Sequence, residues 1–221
     1  MIVTEIKELN AKKVLVTVDG HLAFPLYKGE LRRYGLREGK EITSAQWTEL
    51  WNDVLIKRSR LRAMNLLQKK NYTKAELERK LRDNFYPEEL VSQALEYVMS
   101  FHYVDDLRYA QAYIRYHSAD RSRQRIRRDL LMKGIPSEIF EQAWEKFQAD
   151  HEEWSEREQI RSLLEKRHYD PELADEKERA RTMAFLYRKG YSADTIYAVF
   201  SHLSESGRSQ KLMNRNVKSI T

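Results

Sequence analysis

The stretch Ser137-Glu-Ile-Phe-Glu-Gln-Ala-Trp-Glu-Lys-Phe147 carries its apolar residues at Phe140, Ala143, Trp144 and Phe147, with charges between them. Spacing of i, i+3, i+4, i+7 is the buried stripe of an α-helix. The same stripe occurs 49 residues earlier as Val91, Ala94, Leu95 and Val98, and 56 residues later as Ile196, Val199, Phe200 and Leu203. The element before each stripe repeats at the same two offsets, with Leu77/Leu81, Ile126/Leu130 and Thr182/Leu186. Before these lie Ala63/Leu66/Leu67, Ala110/Tyr113/Ile114 and Ile160/Leu163/Leu164. Three helices used three times account for the pattern, and units this small must pack on their neighbours to bury a core.

The punctuation between stripes agrees with this count. Thr73-Lys-Ala-Glu76 is a capping box that opens the second helix of the first unit. Lys133-Gly134 and Lys189-Gly190 supply a left-handed residue after the equivalent helices of the next two units. Pro87 and Pro136 fall in the first turn of the third helices, where a missing N–H costs nothing. The expected boundaries are 57–103, 104–150 and 151–203 for the repeats, in an elongated array, with a polar basic tail over 204–221.

Residues 1–56 read differently. Ile2, Ile6 and Val14-Leu-Val-Thr-Val18 are strand formers, and Asp19-Gly20 before His21-Leu-Ala-Phe24 signals a two-residue hairpin turn with φ > 0. Lys28–Tyr34 predicts a short helix, and Thr43/Ser44 caps a longer one with Trp47, Leu50, Trp51 and Val54 on one face. The expected fold is therefore mainly α, three tandem three-helix repeats preceded by a small β-containing unit.

Composition sharpens the class. With 7 Gly and 4 Pro in 221 residues, the chain lacks the turn material of an all-β protein. The absence of cysteine excludes disulfides, thiolate metal sites and a Cys nucleophile, and fits a reducing compartment. No basic-then-apolar leader and no continuous apolar run of membrane length are present, so the expectation is a cytoplasmic protein without a membrane span. The net charge of +6 favours a polyanion or an acidic protein surface as partner. Residues 57–150 hold 19 basic against 14 acidic side chains and so supply most of that excess.

Within that segment, Arg121-Ser-Arg-Gln-Arg-Ile-Arg-Arg128 holds five arginines in eight residues. With Ser122 as cap and Ile126 and Leu130 facing the core, Arg121, Arg125 and Arg128 project away from it at 100° per residue. Arg123 and Arg127 border the apolar stripe, where their stems can pack. The competing account is a solvated face whose arginines pair with acids such as Asp120 and Asp129. A second basic cluster, Lys57, Arg58, Arg60 and Arg62, opens the first repeat. Both clusters are candidates for contact with phosphates or with a partner's carboxylates.

Catalytic signatures are missing. Asp105-Asp106 reads as the N-cap of the helix carrying Ala110 and Ile114 rather than as a metal site. The histidines His102, His117, His151, His168 and His202 have no ligand spacing, and no GxxxxGK[ST], GxGxxG or GxSxG occurs. The expectation is a non-enzyme with no cofactor and no metal.

Three segments resemble the RecX family of bacterial recombination regulators: Phe101-His-Tyr-Val-Asp-Asp-Leu-Arg-Tyr-Ala110, Arg125-Ile-Arg-Arg-Asp-Leu-Leu-Met-Lys-Gly-Ile135 and Ala180-Arg-Thr-Met-Ala-Phe-Leu-Tyr-Arg-Lys-Gly-Tyr191. The resemblance covers about Arg58–Leu203 and leaves residues 1–56 outside. It implies a monomeric modulator that binds the RecA filament on single-stranded DNA and alters, most simply by inhibiting, its assembly, ATPase and strand exchange. Such a role belongs to DNA repair, recombination and the SOS response. The alternative is a basic helical-repeat DNA-binding protein, transcriptional or architectural, acting without RecA. Its helix-turn-helix reading would use Ser122–Lys133 and Pro136–Phe147, but the second helix carries Glu138, Glu141 and Glu145 against Lys146, a poor face for a major groove.

Overall fold

The computed structural model describes residues 1–203, so the basic tail expected over 204–221 lies outside the described residues. Three antiparallel strands, β1 (Val3–Glu8), β2 (Lys13–Val18) and β3 (Leu22–Tyr27), form a meander in the order β1-β2-β3. Val14, Val16 and Val18 alternate inward on β2, and Phe24 and Leu26 join them from β3. The β2–β3 turn holds three residues, one more than the two expected, because Val18 pairs with Leu22. Asp19 explains the extra residue. Its N–H donates to the Ile2 carbonyl and its carboxylate accepts the Ile2 N–H, so the β1–β2 pairing runs one residue further than the β2–β3 pairing. Asp19 and Gly20 both have positive φ.

After α1 (Lys28–Arg33), Thr43 caps α2 (Ser44–Glu49) in a capping box with Gln46. The chain stays helical from Ser44 to Leu67, passing through a π-helical segment, Leu50–Ile56, into α3 (Lys57–Leu67). Position 56/57, where the sequence reading placed a boundary, is therefore inside continuous helix. The i→i+5 pattern brings Leu50 and Leu55 to one side, and both are fully buried. Trp47 packs edge-on to Phe24 at 5.5 Å and leans on Trp51 at 5.2 Å, which seats this helix on the sheet.

The remaining helices are α4 (Lys74–Arg82), α5 (Glu88–Ser100), α6 (Asp106–His117), α7 (Arg123–Met132), α8 (Ser137–Asp150), α9 (Glu156–Lys166) and α10 (Glu176–Arg188), followed by helical residues 193–203. Two compact units divide within α6, the first being Met1–Tyr109 and the second starting at Ala110. Every stripe residue named above is buried except Leu203, which packs on the core of the third repeat. Pro87 and Pro136 are N-caps, one position earlier than the first helical residue, and their carbonyls accept from Val91 and Phe140. Three residues past the end of α4 stands Phe85 at φ +64, in the place that Gly134 and Gly190 occupy in the later repeats.

Candidate functional site

The helix α7 is built on a buried hydroxyl. Ser122 Oγ accepts from the Arg125 N–H at 3.3 Å and donates to the Lys189 carbonyl at 3.1 Å, joining the start of α7 to the end of α10. A Cβ at Gly190 would stand 2.7 Å from that oxygen, so glycine is required there for close approach as well as for φ +94. The carboxylate of Glu156 accepts the first free N–H of α7, from Arg123, at 2.8 Å. Ile126 and Leu130 are fully buried and fix the rotation of the helix.

That rotation sorts the five arginines into three groups. Arg121 donates to Asp129 at 2.8 Å and to the Tyr113 hydroxyl at 2.9 Å, and Arg125 reaches the same Asp129 at 3.2 Å. Asp129 is 7% exposed, so its charge is matched by two guanidinium groups rather than by water. Burial raises the Tyr113 hydroxyl, and the Asp129 charge raises it further, keeping it a neutral donor. Arg123 lies over the rings of Trp144 and Phe140, at 5.5 and 6.0 Å, and pairs with Glu141. Arg127 shares Glu141 at 3.5 Å and donates to Ser137. Arg128 is exposed and has no ion-pair partner among the described residues.

Arg123, Gln124, Arg127, Arg128, Leu131 and Glu141 line one open groove of about 540 Å³. Arg121 and Arg125 are outside it. The sequence does not point to Gln124 and Leu131 as groove residues, and Glu141 reads there as an acidic residue of α8, not as a partner of the α7 arginines. Glu141 stands on α8, and nothing in the α7 sequence signals it.

The basic cluster at the start of α3 is distributed over several contacts. Arg58 pairs with Glu30, donates to the Pro25 carbonyl at 3.2 Å and covers the Tyr27 ring, so it ties α3 to the β-containing region. Arg60 covers Tyr97 at 5.0 Å. Burial pushes the Tyr86 hydroxyl up to about 12, against the pull of the nearby Arg58 and Arg62 charges. Lys57 is exposed and pairs with Asp53 at 2.8 Å. The structure thus engages Arg58 and Arg60 inside the fold.

Asp105 accepts the Arg108 N–H at 2.9 Å as a cap of α6, while Asp106 accepts the Lys74 N–H at the start of α4 at 2.8 Å. Both carboxylates therefore terminate helices. No group of three or more His, Asp or Glu among the described residues is placed to hold a metal ion, and none of the described helices is long and apolar enough to cross a membrane.

Known proteins place this architecture. Residues 105–143 match the model of the second RecX three-helix domain, and residues 155–200 match that of the third. A regulatory protein RecX from Caldanaerobacter subterraneus is 31% identical over 89% of this chain and 96% of its own. One from Trichlorobacter lovleyi is 34% identical over 63% of this chain and 92% of its own. A crystal structure of a regulatory protein RecX shares the fold with a TM-score of 0.60 at 22% identity, over 92% of this chain and 98% of that one. By this matching of repeats, length and fold, the chain belongs to the RecX family of regulatory proteins.

Proposed function

We propose that this protein regulates the RecA recombinase by binding its filament on single-stranded DNA, with the outer face of α7 as a contact surface. In this reading it acts as a cytoplasmic monomer, inhibits filament assembly, ATP hydrolysis and strand exchange, and performs no chemistry itself. The observation that carries the reading is the groove in which Arg127 and exposed Arg128 stand beside Gln124 and Leu131. A guanidinium without a partner on a rigid helix is preorganised for a phosphate or a carboxylate. The acidic residues Glu138, Glu141 and Glu145 on α8 speak against the alternative, in which α8 would enter a DNA groove.

The test is single-strand-dependent ATP hydrolysis by the cognate RecA, with and without this protein, at a salt concentration where it does not bind naked DNA. Slowed hydrolysis and co-sedimentation with filaments are expected. Unchanged hydrolysis with no co-sedimentation overturns the proposal. If Arg123, Arg127 and Arg128 each neutralise a phosphate, log affinity against log salt has a slope of roughly −2 on single strands.

A further inference from the structure

Apolar rings collect on the surface of the first unit, at the turn between α5 and α6. Phe101 and Tyr103 are 54% and 52% exposed, with centroids 5.8 Å apart and planes within 20°. Tyr97 meets Phe101 edge-on at 5.1 Å, and the Arg60 guanidinium lies over the Tyr97 ring at 5.0 Å. Left-handed His102, at φ +54, holds the two outer rings on one side of the turn. Its N–H bonds the Met99 carbonyl at 2.9 Å and the Tyr103 N–H bonds the Val98 carbonyl at 3.0 Å, so the turn is fixed to the end of α5. Strained backbone that keeps two large rings in water contributes nothing to the core, and contiguous exposed rings mark an interaction surface.

Beside Tyr103 opens a cavity of about 380 Å³, lined by Met64, Leu67, Gln68, Asn71, Tyr103 and Arg108. Arg108 donates to the His102 carbonyl at 3.1 Å, which sets its guanidinium at the edge of the rings. Lys69 and Lys70, between Gln68 and Asn71 in the chain, are exposed, and the Lys70 ammonium lies over the Tyr72 ring at 4.5 Å. Flat rings offer base stacking, carboxamides and a guanidinium offer hydrogen bonds to base edges, and the exposed lysines next in the chain to Gln68 and Asn71 add positive charge for phosphates. An apolar peptide would use the rings and leave those amides and cations without a role.

We infer that the Phe101–Tyr103 platform and the adjoining cavity bind the bases of single-stranded DNA directly. This inference rests on the proposed function only in its choice of a single strand as ligand. Fluorescence anisotropy of a labelled oligothymidine and of an abasic strand of equal length, without RecA, tests it. The unmodified protein should bind oligothymidine more tightly. Phe101→Leu/Tyr103→Leu, which keeps apolar side chains but removes the rings, should lower oligothymidine affinity by roughly tenfold or more. Its abasic affinity and melting temperature should stay unchanged, and Tyr116→Ala, an exposed ring elsewhere that meets only His117 edge-on at 4.8 Å among the ring contacts of the described residues, should change neither affinity. Equal affinity of the unmodified protein for the two strands overturns the inference, as does equal loss on both in the variant. Failure to bind either strand, combined with altered RecA hydrolysis, overturns it while leaving the proposed function standing. Loss of filament binding with strand affinity kept would make the rings a protein-docking surface and also overturn it.

Discussion

The second helices of the first two repeats, α4 and α7, are constructed alike but distribute their charge along the helix in opposite ways. Each opens on a buried hydroxyl, Thr73 or Ser122, and each presents its first N–H to a carboxylate at the start of a later helix, Asp106 or Glu156. In α4, Glu76 lies in the first turn and Arg79, Lys80 and Arg82 in the last, which suits the helix dipole. In α7 the arginines crowd the positive end, with no acidic residue in the first turn and no basic one in the last. Stability alone would favour the α4 arrangement. The α7 arrangement requires Asp129 and Glu141 to offset it, and one arginine remains uncompensated. A charge pattern that works against its own helix is better explained by a partner than by the fold.

The sharpest way to break the equivalence of the two scaffolds is at the cap of α7. Gly190→Ala forces a left-handed alanine and a contact on Ser122 Oγ, and should cost about 2–4 kcal/mol, read as a shifted urea midpoint at constant slope. Ser122→Ala and Thr73→Ala should each cost about 1–2 kcal/mol. A cost at only one of them would show that the shared cap is a formal likeness without shared energetics.

Charge substitutions separate the two helices by function. Arg127→Ala/Arg128→Ala should weaken co-sedimentation with RecA filaments roughly tenfold, while stability stays within about 0.5 kcal/mol. Arg79→Ala/Lys80→Ala should do the reverse, lowering stability by about 0.3–1 kcal/mol through the dipole and leaving filament binding alone. Arg125→Ala, by contrast, strips one of the two cations from Asp129, so its effect should fall on melting temperature first.

Much of this was readable in the residues. Val91, Ala94, Leu95 and Val98 and their counterparts are buried because a 3.6-residue period needs no knowledge of neighbours. Ser122, Thr73 and Asp105 were readable as caps because capping is local. Failures began where a side chain's role is set by its partner, near or far along the chain. Phe85 takes at φ +64 the left-handed position that glycine holds in the later repeats, with its ring left 47% exposed, whereas Gly190 has Ser122 Oγ where a Cβ would stand. Arg58 looked like part of a basic cluster, yet Glu30, 28 residues away, claims it. Helix angles put Arg125 on the outer face, and its pairing with Asp129 one turn on removes it from the groove.

The smallest expected effect bears on why the two clasping carboxylates exist. Burial holds both Asp106 and Glu156 above their ordinary values of 3.8 and 4.5, against the downward pull of the N–H groups they accept. A carboxyl whose folded value is raised favours the protonated form, so the stability it confers is fullest below its unfolded value and is lost as pH rises through the folded one. Glu156→Gln and Asp106→Asn keep an acceptor oxygen for the Arg123 and Lys74 N–H groups but remove the buried charge. Both variants should therefore melt slightly higher than the parent near neutral pH and lose that advantage as pH falls through the raised folded values of the parent's carboxyls. If Glu156→Gln instead melts lower at neutral pH while Asp106→Asn does not, the Glu156 charge is needed against the arginines of α7. The two clasps would then be as unlike electrostatically as the helices they hold.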